Sequence, residues 1–384
     1  MSSVGDFIAF AALMVGLTTA AVGLPPKPGA QPATGDSKLA TANWQLATDA
    51  YSPTLQRFES VEPHMGTLVK ITLFVRDEDE ARAAFVAAFA RISELDETLS
   101  DYKPASELNR ITASAVGKAV RGSGDLVRVL AASQDLAVAT GGAFDVTQGP
   151  VIRLWREARA SGRVPDDDAL RQASARSGYR KLHVDPAAGT VRTDEAGMHL
   201  DVGAIGKGYA ASEALAVLTA RGIGSALVAV SGDLAFSGAP PGARGWRVLL
   251  HAIDLPSEVP TILELTNAAI STAGPSEQHL DAGGRRYSHI VDPATRTALT
   301  EDITVTVVAK HGLDADGLDT AVSVLGVEKG LALIESRPDA AALIVRRTPE
   351  GARLVTSSRF RALVTRGAGA ESTGERPPGT PALR

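Results

Sequence analysis

A glycine-rich stretch with one lysine, GAIGKG at 203–208, lies between the apolar run His199–Val202 and a helix that we predict to begin at Tyr209. A strand, a glycine loop and a helix in this order direct backbone N–H groups, and here a lysine, toward an anion such as a phosphate. The stretch is not a Walker loop, because that motif requires glycine where Asp201 stands and Ser or Thr where Gly208 stands. The glycine spacing of a dinucleotide fingerprint is reversed here. The residues alone therefore leave both a phosphate site and a simple tight turn open.

A carboxylate and a hydroxyl recur at helical spacing in DADGLDT, 314–320, which follows the apolar run ITVTVVA, 303–309. Asp316 and Thr320 are four residues apart and so share one face of a helix. Such a pair can bind a hard cation such as Mg2+, which prefers oxygen ligands. The alternative is that these residues only cap the helix and stabilise its dipole.

Five other side chains could serve a site, and each also has an ordinary structural explanation. His289 could act as a general base near neutral pH, or it could be a hydrogen-bonded residue at a strand end. Tyr102 and Phe144 could stack on a flavin or adenine ring, or they could belong to the core. Asp145 and Asp201 could accept hydrogen bonds from a ligand, or they could cap helices.

The composition limits the chemistry that these residues can perform. The chain has 384 residues, 44% hydrophobic and 22% charged, which is typical of a globular protein. Its net charge of −5 gives no basic field for nucleic acid. Because there is no cysteine, disulfides, iron–sulfur clusters, thiol nucleophiles and a lipid-modified cysteine are excluded. No HExxH, no GxSxG and no zinc-like histidine spacing occurs.

The two ends of the chain differ in composition from its middle. Residues 1–26 include an uncharged apolar run from Phe7 to Pro26 and predict an export signal or membrane anchor, although no Lys or Arg precedes the run. Residues 27–56 are rich in Pro, Gly, Ala and Thr and predict a flexible linker, and 366–384 predict a disordered tail. We expect the folded domain at 57–365 to be extracytoplasmic, either periplasmic or membrane-anchored. If the N-terminus is not an export signal, we expect it to be cytoplasmic.

Helical and strand periodicities interleave in this domain. Apolar residues at helical spacing from Phe85 to Leu99 predict a helix, opened by the acidic residues Asp77–Glu80. Further helices are predicted over Asp125–Thr140, over Tyr209–Arg221 and, weakened by Gly326 and Gly330, from about Asp316 to Glu335. Strands are predicted at Leu68–Val75, His199–Val202, Ser225–Val230, Trp246–His251, Ile303–Ala309, Ala341–Val345 and Arg353–Ser357. This mixture favours an α+β fold with helices packed on largely antiparallel sheets.

Several segments, taken in their order along the chain, resemble one known family. They are MGT (65–67), LDETLSDYKPASELNRI (95–111), TGGAFDVTQGPVIRLW (140–155), LDVGAIGKGYAA (200–211), VSGD (230–233), AISTAG (269–274), YSHIVDPAT (287–295) and DADGLDTAVSVLG (314–326). Each segment alone is unspecific, but eight in sequence are specific. With them, the chain resembles the ApbE family, the FAD:protein FMN transferases.

The resemblance implies a single ApbE-like, T-fold-related catalytic domain that transfers FMN from FAD to a Thr or Ser hydroxyl of a partner protein and releases AMP, with Mg2+ as cofactor. It implies that the backbone carbonyl of Ala204 and the side chains of Asp316 and Thr320 bind Mg2+. It makes His289 the candidate base, and Asp316 is also a candidate catalytic residue. The residues implied to line the FAD site are Met65, Tyr102, Ala143, Phe144, Asp145, Asp201, Lys207 and Ile290.

Two loops depart from the family pattern. The chain reads AGPS at 273–276, where the family often has Ser-Gly followed by Asp or Asn and an aromatic residue, and Thr295-Arg296, where many relatives have Thr-Gly. Both changes bear on the choice of acceptor and on contacts with the flavin ring. The family's acceptors carry a short Ser/Thr-containing motif and include membrane redox subunits. Two alternatives stay open at this point, namely a Mg2+-dependent FAD pyrophosphatase and a non-catalytic extracytoplasmic flavin-binding protein.

Overall fold

The computed structural model describes residues 54–250, 262–274 and 279–363. The predicted leader (1–26), the linker up to residue 53 and the tail (366–384) lie outside the described residues. The described strands are β1 (Gln56–His64), β2 (Thr67–Val75), β3 (Val120–Arg121), β4 (Leu182–Asp185), β5 (Thr190–Thr193), β6 (Ala226–Val230), β7 (Asp233–Phe236), β8 (Trp246–Leu249), β9 (Ile262–Leu265), β10 (Ala268–Ala273), β11 (His279–Ala282), β12 (Arg285–Ser288), β13 (Val291–Asp292), β14 (Thr297–Ala298), β15 (Asp302–Ala309), β16 (Ala340–Thr348) and β17 (Gly351–Thr356). The described α-helices are α1 (Glu78–Leu99), α2 (Glu107–Ser114), α3 (Gly124–Ala139), α4 (Gly149–Ser161), α5 (Asp167–Ala175), α6 (Gly206–Ala220), α7 (Gly312–Glu335) and α8 (Phe360–Leu363).

A central sheet organises these elements. It has the strand order β1-β2-β6-β7-β10-β15-β16-β17, and every neighbouring pair in it is antiparallel. Smaller antiparallel sheets are formed by β3-β5-β4, β8-β9, β11-β12 and β13-β14. The expected α+β architecture with largely antiparallel sheets is therefore confirmed.

The central sheet is covered on both faces, and the alternation of side chains along its strands explains how. In β6, Val228 and Val230 belong to a core that also includes buried residues of α1, α6 and α7. Leu227 in the same strand belongs to a second core with Phe236 and Trp246, on the side of β8, β9 and α8. Successive side chains of a strand point to opposite faces, so one strand supplies both cores.

All four predicted helices are present, as α1, α3, α6 and α7. The Asp77 carboxylate caps α1 by accepting a hydrogen bond from the Glu80 N–H at 2.9 Å. α7 begins at Gly312, one turn before the predicted start, and it is interrupted at Gly326, where φ is +74°. Among the described helices, none combines the length and the apolar character that crossing a membrane requires.

The prediction of a strand at His199–Val202 is wrong. In this segment only His199 forms a bridge, to Gln148, and the Asp201 N–H donates one backbone hydrogen bond to the Val146 carbonyl. The segment is held by the loop before α4 instead of a sheet. Apolar content alone cannot distinguish these two partners.

Candidate active site

The N-terminal ends of α6 and α7 meet through two glycines, Gly208 and Gly312. A Cβ atom on Gly208 would lie 2.1 Å from the Gly312 carbonyl oxygen, and the reverse distance is the same. The Ser212 hydroxyl accepts a hydrogen bond from the Gly312 N–H at 2.8 Å and fixes this contact. Because the two helices approach so closely, Asp316 in α7 reaches the first turn of α6.

The Asp316 carboxylate occupies the N-terminus of α6. Its Oδ2 accepts a hydrogen bond from the Gly208 N–H at 2.9 Å. Three other amide groups of the loop are bonded within the chain, since Gly203 donates to the Asp201 carboxylate, and Ile205 and Gly206 donate to the Val202 carbonyl. The anion that the described structure places at this helix end is a side chain of the protein, and the choice between a phosphate site and a simple tight turn stays open.

Lys207 lies beside this carboxylate and is the only cation that the described contacts give it. The Lys207 Nζ is 2.9 Å from the Gly203 carbonyl oxygen, 3.2 Å from Asp233 Oδ2 and 3.7 Å from Asp316 Oδ1. Burial opposes the charge of Lys207, but the carboxylates of Asp233 and Asp316 raise its pKa. Lys207 therefore stays protonated and holds the two carboxylates together.

A third buried carboxylate, Asp319, joins this group through a serine. The Ser271 hydroxyl lies 2.5 Å from Asp233 Oδ1 and 2.6 Å from Asp319 Oδ2. A hydroxyl carries one proton and can donate to only one of the two, so the second hydrogen bond requires a proton on a carboxylate. Burial, followed by the charges of Asp316 and Asp233, raises the pKa of Asp319 well above its ordinary value. Burial also raises the pKa of Asp316, to about 7, and Asp233 adds to this effect.

The residues expected to bind Mg2+ fit that ion chemically. Ala204 belongs to the turn before α6, and the Thr320 hydroxyl, one helical turn after Asp316, donates to Asp319 at 3.2 Å. Three buried carboxylates lie beside a single lysine here, so the cluster offers hard oxygen donors whose ionised forms a divalent cation would stabilise. Within the described ranges, no three His, Cys, Asp or Glu side chains form a metal-binding group. The expected set instead combines one carboxylate with a carbonyl and a hydroxyl.

Met65 lies at the tip of the β1–β2 hairpin in a strained conformation. The two turn residues, Met65 and Gly66, have φ of +51° and +70°. A turn with positive φ at both positions matches the twist of the flanking strands, but only glycine adopts it without cost. A methionine held in this conformation is the kind of local strain that marks functional sites.

His289 is displaced from a regular strand by a bulge. The Ser288 N–H donates to the Leu299 carbonyl at 2.7 Å, and the Leu299 N–H donates to the Ile290 carbonyl at 2.8 Å. The three successive residues from Ser288 to Ile290 thus lie opposite the single residue Leu299, with His289 in the middle. Bulges redirect side chains and are common beside active sites. A groove of about 560 Å³ lies alongside, between 281–286 and 299–302, and no predicted site residue lines it.

Phe144 and Asp145 make their described contacts with the chain itself. Phe144 is 2% exposed and belongs to the main core, and its place at the FAD site stays a prediction. The Asp145 carboxylate accepts four hydrogen bonds, from the Thr147 N–H and hydroxyl, the Gln148 amide and the Tyr179 N–H. It holds the loop before α4 onto the segment at Tyr179. Ala143, next to them, is partly exposed.

The profile of the ApbE family matches residues 65–344. The chain belongs to the ApbE family. An FAD:protein FMN transferase of Klebsiella pneumoniae is 31% identical over 303 residues, 77% of this chain and 86% of that protein. One of Treponema pallidum is 30% identical over 307 residues, 76% of this chain and 85% of that protein.

Solved ApbE structures have the same fold as this chain. The flavin transferase ApbE of Vibrio cholerae has a TM-score of 0.72 at 28% identity, covering 81% of this chain and all of that one. The apo flavinyl transferase ApbE of Pseudomonas stutzeri has a TM-score of 0.71 at 30% identity, covering 82% and 98%.

Among the residues predicted for an ApbE site, the structure brings Lys207, Asp316 and Thr320 into one cluster. Sequence reasoning missed three members of that cluster, Asp233, Ser271 and Asp319. Their segments, VSGD, AISTAG and DADGLDT, were recognisable as ApbE motifs, but nothing in their spacing showed that they meet. They come together because β7, β10 and α7 are neighbours in space.

Proposed function

We propose that this ApbE-family chain transfers FMN from FAD to a Thr or Ser hydroxyl of a partner protein, with Mg2+, and releases AMP. The observation that carries the proposal is the contact of the half-buried Lys207 with the buried Asp316 at the N-terminus of α6. The relatives named FAD:protein FMN transferase support the reaction class. Three buried carboxylates beside a single lysine, two of them with raised pKa values, support the need for a cation that would stabilise their ionised forms.

Charge neutralisation is the main demand of this reaction, because attack on a pyrophosphate accumulates negative charge on the transferred phosphoryl group. Ala204, Asp316 and Thr320 would hold Mg2+, which supplies this neutralisation when it is bound. Lys207 contributes a fixed positive charge next to it. At the N-terminus of α6, the hydrogen bond from the Gly208 N–H stabilises the ionised carboxylate of Asp316.

His289 is the proposed general base. The acceptor oxygen forms a bond to the phosphorus on the FMN side of FAD, and the bond from that phosphorus to the bridging oxygen breaks. AMP leaves with the bridging oxygen and its electron pair, and His289 takes the hydroxyl proton. A positioned base contributes about 10²–10⁴-fold to such a step.

The test is mass spectrometry of candidate acceptor proteins, including membrane redox subunits, after incubation with this protein, FAD and Mg2+. We expect one FMN unit on a Thr or Ser, and we expect EDTA and Asp316→Ala to abolish the adduct. If AMP and FMN accumulate without an adduct, the chain is an FAD pyrophosphatase. If FAD stays bound and intact, it is a flavin-binding protein.

We further propose that the domain works outside the cytoplasm. The support is the uncharged run from Phe7 to Pro26, which is typical of an export signal or membrane anchor. A fusion of residues 1–60 to a reporter that is active only after export tests this proposal. A reporter that stays inactive would overturn it.

A further inference from the structure

Arg156 in α4 links three residues from two distant segments of the chain. Its Nη1 lies 2.5 Å from Asp101 Oδ2 and its Nη2 lies 2.7 Å from Asp201 Oδ2. Its guanidinium carbon lies 4.5 Å from the centre of the Tyr102 ring. One side chain therefore bonds two carboxylates and lies over an aromatic ring.

The two carboxylates require this cation. The side chains of Asp101 and Asp201 are 8% and 5% exposed. Burial and the charge of Asp201 raise the pKa of Asp101, and Arg156 opposes this effect. Without Arg156, two like charges would be buried side by side, and the Asp101–Tyr102 segment would be repelled from Asp201.

Two of the residues that Arg156 contacts, Asp201 and Tyr102, belong to the predicted FAD site. Asp201 accepts a hydrogen bond from the Gly203 N–H at 2.9 Å and so holds the start of the loop that carries Lys207. Tyr102 is 71% exposed, and apart from Arg156 little in the described structure restrains its ring. A ring that is already held in one orientation loses less conformational entropy when a ligand stacks on it.

We propose that Arg156 is a positioning residue that sets the affinity for FAD by holding Tyr102 and Asp201 in their binding arrangement. This inference rests on the proposed function, because it takes FAD as the substrate. It assigns to Arg156 no contact with the reacting atoms. Lysine cannot replace it, since an ammonium group lacks the planar fork that bonds two carboxylates at once.

The experiment measures FAD binding and steady-state transfer for Arg156→Gln, Arg156→Lys, Tyr102→Ala and the double variant Arg156→Gln/Tyr102→Ala. We expect Arg156→Gln to weaken FAD binding about tenfold, the scale of one lost stacking or charge-assisted contact, with kcat at saturating FAD within about twofold of the wild type. The losses of FAD affinity from Arg156→Gln and Tyr102→Ala should not add, because both variants remove the same ordered Tyr102 ring. Arg153→Gln, an exposed arginine in the same helix, is the matched control.

A second variant separates this role from a role in folding. Asp101→Asn/Arg156→Gln removes a carboxylate along with the cation, so it should recover thermal stability relative to Arg156→Gln while FAD binding stays weak. Recovery of FAD affinity along with stability would overturn the proposal, as would additive losses or a fall in kcat at unchanged Kd. If the wild type itself transfers no FMN, the proposed function fails first, and FAD titration of the same variants still decides whether Arg156 positions a flavin site.

Discussion

Asp316 is subject to opposing influences on its charge. Burial and the carboxylate of Asp233 favour its protonated form, whereas Lys207 and the Gly208 N–H favour its ionised form. A divalent cation would resolve this conflict in favour of the carboxylate, because it cancels the charge that burial penalises. The residue is therefore more sensitive to substitution than one that only contacts the substrate.

We predict that Asp316→Ala lowers FMN transfer by at least about 100-fold, because it removes both the carboxylate expected to bind Mg2+ and the cap of α6. Tyr102→Phe should cost less than about threefold, because it keeps the aromatic ring and removes only a hydroxyl. Parallel initial-rate assays of adduct formation measure both. Equal losses in the two variants would contradict the prediction.

Individual residues show where sequence reasoning reached its limit. The types of Lys207, Asp316 and Thr320 and their positions near helix starts were enough to suggest an anion or cation site. Asp145 could not be assigned in the same way, because a carboxylate before a helix satisfies ligands and backbone amides equally well. Arg156 gave no signal, since its partners lie 55 and 45 residues away in the chain.

At the scale of elements, the site depends on how closely α6 and α7 approach. The contact between Gly208 and Gly312 leaves no room for a side chain, and Asp316 Cβ would lie 2.8 Å from a Cβ on Gly208. The glycines in the loop are therefore not equivalent. Gly206 has space, because its Cβ would meet Val202 at an ordinary 3.7 Å.

We predict that Gly208→Ala destabilises the fold by about 2–3 kcal/mol, because the added methyl group must push the two helices apart. It should also lower transfer activity, since Asp316 moves with α7. Gly206→Ala should change stability by less than about 1 kcal/mol, in either direction. Urea denaturation of both variants measures the difference, and equal stabilities would show that the helix contact is more tolerant than its geometry indicates.

The elements themselves were largely predictable, because helical and strand periodicities are local. The contacts by which these elements pack against one another were not predictable, because they join segments that are distant in sequence. The start of α7 at Gly312 follows from its contact with Gly208, 104 residues away in the chain, and not from any capping signal in its own segment. The same limit applies to the segment at His199–Val202. Its partners in the loop before α4 are distant in sequence, so its own residues could not show that a loop holds it and not a strand.

At the scale of the whole molecule, one ionic network joins three helices behind the site. Arg91 of α1 bonds both carboxylate oxygens of Asp125 in α3, at 2.8 and 2.6 Å, and one oxygen of Glu213 in α6, at 2.6 Å. The Tyr209 hydroxyl of α6 also donates to Asp125, at 2.6 Å. Since Tyr209 follows Gly208 directly, this network fixes the helix whose N-terminus forms the site.

The network makes stability depend on pH in a defined direction. Hydrogen bonding to Arg91 is the main cause that lowers the pKa of Asp125, and the Tyr209 hydroxyl adds to it. The stabilisation is therefore fully present above the unfolded pKa of about 3.9 and is lost as the pH falls through the lower folded value. We predict that Arg91→Ala costs about 1–2 kcal/mol at pH 7, less than a fully buried pair because these side chains are partly exposed.

The difference between wild type and Arg91→Ala should shrink as the pH falls below about 3.9, because protonated Asp125 no longer gains from the guanidinium. Urea denaturation of both proteins at pH 7, 5 and 3.5 follows this difference directly, and effects common to both proteins cancel. Arg128→Ala is the control, since the exposed Arg128 reaches Glu213 only at 3.9 Å and should change stability by less than about 0.5 kcal/mol. A wild-type advantage that stays constant with pH would mean that Arg91 stabilises the three helices by packing of its aliphatic stem and not through the charge of Asp125.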